Sequence, residues 1–266
     1  QVQVTELTEQ MAALSLQGPK SRAILNLACE QPVDALKYFR MTFNRIAGKA
    51  VSVSRTGYTG DLGFEIWMDA ADALVIWDAL MAAGHDYGIT PTGILAMDMT
   101  RVEAGLFMLD VDYTPASHAW IAGQRSSPYE MGLGWTVNLD KQGYFVGRRA
   151  LEREHREGSS WQLAGLEIDW EGLEREYAAV GMPPQVPASA VRGSIPVYAG
   201  PRQVGYASTS TWSPVLKKYI ALVHLQQPYF TPGTKVEIEV TVEHHRRKSP
   251  ATVVTLPFYD PEWKKK

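Results

Sequence analysis

Glu65 is the side chain that stands apart in this sequence. It sits between Phe64 and Ile66, just after a stretch punctuated by Gly57, Gly60 and Gly63. A lone carboxylate on a strand ordinarily faces solvent. Where that face borders a cleft instead, its two oxygens can accept side-by-side hydrogen bonds from a donor–donor edge of a ligand. Asp98 and Arg101 are three residues apart, the spacing of an ion pair within a helix. His244 and His245 are adjacent; on a strand they point to opposite faces, which is poor metal geometry. Arg246-Arg247-Lys248 reads as a solvated hairpin turn or, alternatively, as a contact for the acidic tail of a ligand. Cys29 is the single cysteine, so an intramolecular disulfide and a cysteine-based zinc site are both excluded. Its expected role is that of a small buried apolar residue on a helix. The chain holds no phosphate-binding loop, Gly-x-Gly-x-x-Gly fingerprint, Gly-x-Ser-x-Gly elbow or metal-binding histidine cluster.

The elements that must position these groups divide into two kinds. Strand signals in residues 1–17 lead to Gly18-Pro19, which is expected to open a helix with Pro19 at its first position and Ile24, Leu25 and Ala28 on one face. Lys49 to Ser54 reads as a strand. The glycine-rich Arg55 to Leu62 then reads as a tight turn into a second strand that carries Glu65 and Trp67. Asp69 is a suitable N-cap for a helix that buries Leu74, Trp77 and Leu80 or Met81 and stops at Gly84. Thr90-Pro91 starts a further helix through Asp98 and Arg101 to Gly105, and a short charged helix covers Arg148 to Arg156. The polar break at Glu157 to Ser160 marks a boundary between an α+β region, 1–157, and a second domain, 161–266. In the latter Trp161 to Asp169, Ser194 to Tyr198, Gln203 to Ser210, Tyr219 to Leu225 and Lys235 to Glu243 are strand-like. Val236, Ile238, Val240 and Val242 alternate with polar partners, as a strand with one wet face does. The expected fold class is therefore α+β, closed by a small antiparallel β-barrel.

Composition sets outer limits. The 266 residues are 45% apolar and 21% charged with a net charge of −3, so no global basic field draws nucleic acid or an acidic membrane. No run of 18 apolar residues exists, and Gln1 to Gln10 resemble neither a signal nor a transit peptide; a cytoplasmic location is expected. The chain opens inside a strand-like stretch without an initiating methionine, which points to a natural start elsewhere.

Several stretches together resemble the aminomethyltransferase (glycine cleavage T-protein) family. Leu16-Gln17-Gly18-Pro19, Arg55-Thr56-Gly57-Tyr58-Thr59-Gly60, Gly63-Phe64-Glu65-Ile66 and Arg101-Val102-Glu103-Ala104-Gly105 look like the family's motifs in order and at its spacing. Tyr129 to Val137, Gly143 to Gly147, Ser213-Pro214 with Lys217-Lys218, and Pro250 to Phe258 continue the likeness. The resemblance implies three domains around a folate-binding channel and transfer of a one-carbon unit to N5 of tetrahydrofolate. Carried over by motif, Glu65 would hold the pterin ring, whose N–H and NH2 groups supply a donor–donor edge. Tyr58 and Trp67 would line the pocket, and Trp263 or Tyr259 would close the channel.

Two departures from the family pattern bear on the reaction. The family's N-terminal segment, with the aspartate proposed to assist transfer, would precede Gln1, so the catalytic acid or base is unassigned. The missing part would be supplied by a second chain, or the chain is a fragment; alone, its first domain would expose core. Met97-Asp98 stands where glycine-cleavage members carry Arg-Asp, and Leu109-Asp110-Val111-Asp112 lacks the tyrosine-glycine of Tyr-Gly-x-Asp. Methionine cannot replace an arginine's fork of donors. Both changes lean from aminomethyl transfer off a lipoyl carrier protein toward demethylation of a small N-, O- or S-methyl compound, the one-carbon donor. A non-catalytic folate-binding protein and a detached part of a flavin-linked oxidase are the readings from other classes.

Overall fold

The computed structural model describes residues 2–265, which form two compact units: residues up to Met97 together with those from Asp260 onward, and Asp98 to Tyr259.

The first unit is an antiparallel sheet with strand order β1-β4-β3-β2, formed by β1 (Met11–Gln17), β2 (Met41–Ile46), β3 (Lys49–Ser54) and β4 (Gly63–Asp69). Helices α1 (Ser21–Ala28) and α2 (Ala73–Gly84) belong to the core on one face, where Leu16, Val51, Val53, Phe64, Ile66 and Met68 meet Ile24, Leu25, Ile76 and Leu80. Side chains alternate across a strand. The opposite face of the same sheet therefore carries Ser15, Ser52, Ser54, Glu65 and Trp67, with Met41 and Phe43 exposed at the β2 edge. The β2–β3 hairpin turns on Ala47 and Gly48, both at positive φ (50° and 74°), the pattern whose twist matches a two-residue hairpin.

Three sequence expectations shift here. Pro19 lies ahead of α1, whose N-cap is Lys20, and Thr90-Pro91 precedes a helix that begins only at Ile94 (α3, Ile94–Glu103). α2 buries Ile76 and Leu80, while Leu74 and Trp77 face out. Asp78 is the only charged side chain in that helix, so the sequence marks its buried side only weakly. Asp69 does cap as expected, its carboxylate accepting from the Ala71 N–H at 2.9 Å, and the helix does end at Gly84. Cys29 follows the last turn of α1 half-buried, and that burial pushes its thiol up to about 11.

The second unit contains a closed six-stranded antiparallel barrel, in the order β10-β5-β8-β7-β6-β9. Its strands are β5 (Trp161–Ile168), β6 (Val191–Ala199), β7 (Arg202–Ser213), β8 (Lys218–Gln226), β9 (Lys235–Val242) and β10 (His245–Val254). Inward-facing Leu166, Val197, Val204, Ala207, Val223, Leu225, Ile238 and Val253 fill it, so the barrel is a packed core. Helix α4 (Arg148–Glu157) precedes the barrel, and the chain passes into β5 across residues 158–160. Helix α5 (Trp170–Ala178) is capped by Asp169, which accepts from the Gly172 N–H. The basic triplet is corrected: Arg246, Arg247 and Lys248 lie within β10, opposite Thr241, Val240 and Glu239. The turn is made by Glu243 and His244, both at positive φ (47° and 62°), so His244 is not on a strand. No helix among the described residues is long and apolar enough to cross a membrane.

Candidate functional site

Glu65 lies half-buried on the open face of β4, with Trp67 two residues further along the same face and 44% exposed. Ser54 on β3 and Ser15 on β1 flank it in register. One carboxylate oxygen, Oε2, accepts a short hydrogen bond from the Thr56 hydroxyl. That hydroxyl is also 2.8 Å from Ser54 Oγ. Among the described residues Oε1 accepts no hydrogen bond, so half of the carboxylate is left for a partner. Glu65 lines neither of the two clefts described below.

The loop from Arg55 to Leu62 holds this arrangement, and Gln17 holds the loop. Gln17 Oε1 accepts from the Thr59 hydroxyl at 2.9 Å, and Gln17 Nε2 donates to Ser15 Oγ at 3.0 Å. A longer approach, 3.5 Å, leads from Nε2 to each of the Thr56 and Phe64 carbonyls. The amide fits only because Gly57 and Gly63 lack side chains: a Cβ would stand 2.2 Å from Gln17 Oε1 at position 57 and 1.9 Å at position 63. Tyr58 is half-buried in this loop. Trp263, in the returning C-terminal turn, donates its indole N–H to Asp61 Oδ1 at 2.8 Å. The same turn is tied down by Arg55, whose guanidinium donates to the Leu36 and Lys264 carbonyls at 3.2 and 2.9 Å. Glu65, Trp67, Tyr58 and Trp263 are thus all in the first unit. Tyr259 is in the second, where its backbone N–H donates to the Glu103 carbonyl at 2.9 Å. Sequence reasoning passed over Thr56 and treated Gln17 only as part of a motif; the paired glycines were the available signal that some side chain fills their space.

The second unit holds a different polar assembly. Arg101 is fully buried and donates to Asp98 at 2.9 Å, to Asp112 and to Thr209 Oγ1 at 3.0 Å. The expected Asp98–Arg101 pair is therefore present but is one edge of a larger network. Asp98 also accepts from Arg192 at 2.9 Å, and Asp112 also accepts from the hydroxyls of Ser208 (2.6 Å) and Thr209 (2.7 Å) and from the Met108 N–H (2.7 Å). His224 lies 2.6 Å from the Asp112 carbonyl through Nε2 and stacks on Tyr206; burial pushes its pKa down. Every buried charge here has an opposite partner, which is the condition for tolerating charges in a core. The network bolts α3 and the 108–112 loop to β6, β7 and β8. Asp110 has the left-handed backbone that glycine favours (φ 61°) and pairs with His118 at 3.0 Å. Glu103 is buried and held up in pKa by that burial, although the Ser213 hydroxyl donates to it at 2.6 Å.

Beside the barrel, a cleft of about 550 Å³ is lined chiefly by Phe107, Met131, Leu133, Leu163, Phe230 and Leu256. It offers no charged side chain. A shallower hollow of about 320 Å³ lies at Glu30, Phe43 and Arg45 in the first unit. No group of three or more potential metal ligands occurs among the described residues.

The chain has the fold of glycine cleavage system aminomethyltransferase T from Bartonella henselae, with a TM-score of 0.62 over 94% of this chain and 84% of that one at 16% identity. Residues 1–141 match the GCVT N-terminal domain, and residues 162–260 match the glycine cleavage T-protein C-terminal barrel domain. The chain belongs to the glycine cleavage T-protein family. It is 34% identical over 259 residues to an aminomethyltransferase of Halalkalibacterium halodurans, covering 97% of this chain and 62% of that protein. It is 36% identical over 270 residues to a trimethylamine-oxide aldolase of Ruegeria pomeroyi, covering 98% of this chain and 31% of that protein. The chain thus spans just over three fifths of the length of its aminomethyltransferase relatives, 62% in the first case.

Proposed function

We propose that this chain is a tetrahydrofolate-dependent one-carbon transferase of the aminomethyltransferase type, with Glu65 as the anchor for the folate ring. The observation that carries this reading is the state of Glu65: half-buried, held at Oε2 by Thr56, open at Oε1 and next to exposed Trp67. A carboxylate with accepting capacity on both oxygens suits the donor–donor edge of a pterin, and an indole beside it suits a flat ring. When bound, tetrahydrofolate supplies the N5 nitrogen that receives the one-carbon unit. The chain's own contribution is positional: it fixes the ring's polar edge and leaves the reacting end to be oriented by the rest of the site. Tyr58, Trp67, Trp263 and Tyr259 are the proposed lining residues, and the proton-transfer group remains unassigned. The partners are a small-molecule one-carbon donor and, for aminomethyl transfer, a lipoyl carrier protein.

Demethylation of a small methylated amine or sulfur compound is the second reading. Met97 favours it, standing where an arginine is expected in glycine-cleavage members, as does the likeness to a trimethylamine-oxide aldolase. Calorimetric titration of the chain with tetrahydrofolate under anaerobic conditions tests the common core of both readings. Glu65→Ala is expected to weaken binding at least tenfold, since a charge-assisted pair contributes roughly 1.5–3 kcal/mol. Equal binding by both proteins removes Glu65 as the anchor.

A further inference from the structure

We propose that Thr56 is a positioning residue: its hydroxyl presets the Glu65 carboxylate for a ligand's donor–donor edge before the ligand arrives. The proposal rests on the reading of Glu65 as the folate anchor.

Thr56 is placed to do this by the strand register. Ser54, the last residue of β3, pairs with Glu65 on β4, and Thr56 follows two residues later as the loop leaves the sheet. Its side chain reaches back to Glu65 Oε2 and stands 2.8 Å from Ser54 Oγ. The proton order in this chain is set by chemistry. A carboxylate only accepts, so the Thr56 hydroxyl donates its single proton to Glu65, and its oxygen must then accept from Ser54. The relay Ser54 → Thr56 → Glu65 therefore points one way and ends on the carboxylate.

The main chain of Thr56 is restrained as well, because its carbonyl lies 3.5 Å from Gln17 Nε2, while the loop beyond it is pinned by the Gln17–Thr59 bond. The hydroxyl is consequently presented from a fixed loop. A glutamate on an open sheet face otherwise samples several rotamers, and a ligand that needs the carboxylate plane in one orientation must freeze them. Thr56 removes that requirement while occupying only one of the acceptor positions. Oε1 and the second acceptor position of Oε2 stay open for the ligand.

The test is tetrahydrofolate titration of the 266-residue chain carrying Thr56→Val, Thr56→Ser, Glu65→Ala and the Thr56→Val/Glu65→Ala pair, with thermal midpoints recorded alongside. Thr56→Val keeps the shape and deletes the donor; it is expected to weaken binding about tenfold, while the midpoint falls by no more than the loss of one or two hydrogen bonds produces and the chain stays folded. Thr56→Ser restores the donor and is expected to bind within about twofold of the parent. In the Glu65→Ala background, Thr56→Val is expected to change nothing further, because its effect passes only through that carboxylate. A purely structural threonine would act in both backgrounds. Parent-like binding by Thr56→Val, loss of binding by Thr56→Ser equal to that by valine, or a persisting effect without Glu65 would each overturn the proposal. Any of these leaves the anchor role of Glu65 standing if Glu65→Ala itself binds weakly. Undiminished binding by Glu65→Ala removes both.

Discussion

Adding one methyl group at Gly63 should destabilise the first unit, and deleting the Gln17 side chain should make that methyl harmless. In the native fold a Cβ at position 63 would lie 1.9 Å from Gln17 Oε1, 2.3 Å from its Cδ and 2.4 Å from its Nε2, so the whole amide group is in the way. The amide can yield only by giving up its bonds to Thr59 and Ser15. Overpacking costs about 1–3 kcal/mol and a lost neutral hydrogen bond about 1 kcal/mol, which puts Gly63→Ala at roughly 2–4 kcal/mol. Gln17→Ala forfeits the same bonds and leaves a slot, at a cost of about 1–2 kcal/mol. With the slot empty, the alanine methyl at 63 occupies it. Gly63 is not among the glycines held at positive φ, so alanine there also gains roughly 0.4–1 kcal/mol by restricting the unfolded chain. The double variant is therefore expected to be about as stable as Gln17→Ala alone, a coupling on the order of 2 kcal/mol or more between the two positions. Urea denaturation followed by circular dichroism, for the parent, both single variants and the double, measures this coupling. Additivity within about 0.5 kcal/mol would refute the argument that the glycines exist to admit the glutamine.

Two further outcomes concern the second unit. Asp112→Ala should cost about 3–5 kcal/mol in equilibrium unfolding, because it takes one of its two carboxylate partners from the fully buried Arg101, leaving only Asp98, and releases donors from Met108, Ser208 and Thr209; a loss under 1 kcal/mol, roughly that of a surface pair, would show the network to be dispensable. His224 is buried with its pKa below the usual 6.5, so the unfolded chain binds the extra proton first as pH falls. Its contribution is complete above about pH 6.5 and declines below it, with a slope of at most about 1.4 kcal/mol per pH unit. His224→Phe, which retains a ring against Tyr206, should lose less stability than the parent between pH 7.5 and 5.5; parallel profiles would remove His224 as the cause.

The parts of the molecule legible in its sequence are those set by neighbours along the chain. Lys49 to Ser54 is a strand because Val51 and Val53 alternate with small polar residues, and Val236 to Val242 reads the same way; both stand where expected. Asp69 and Gly84 bound the second helix for local reasons, a side-chain acceptor at its start and a helix breaker at its end. Motif spacing was enough to indicate the family. Elements whose outward face is the apolar or charged one escaped the same reasoning: β2 shows Met41 and Phe43 to solvent, and β10 carries three consecutive cations directly after its first residue, His245.

Which side of a helix whose only charge is Asp78 is buried, which residue holds Glu65 and what Asp112 touches were decided by contacts between distant parts of the chain. α2 buries Ile76 and Leu80 because the sheet lies on that side, not because Leu74 and Trp77 are less apolar. Glu65 meets Thr56 because a glycine loop folds two strand ends together, and Gln17 enters from a strand 39 residues away from the carbonyl it approaches. Asp112 and Thr209 are 97 residues apart, yet share one proton donor bond in the core. Periodicity and propensity act over a few residues, so they shape strands, caps and turns. Which buried polar atom finds which partner depends on the packing of whole elements, and that is a property of the folded chain alone.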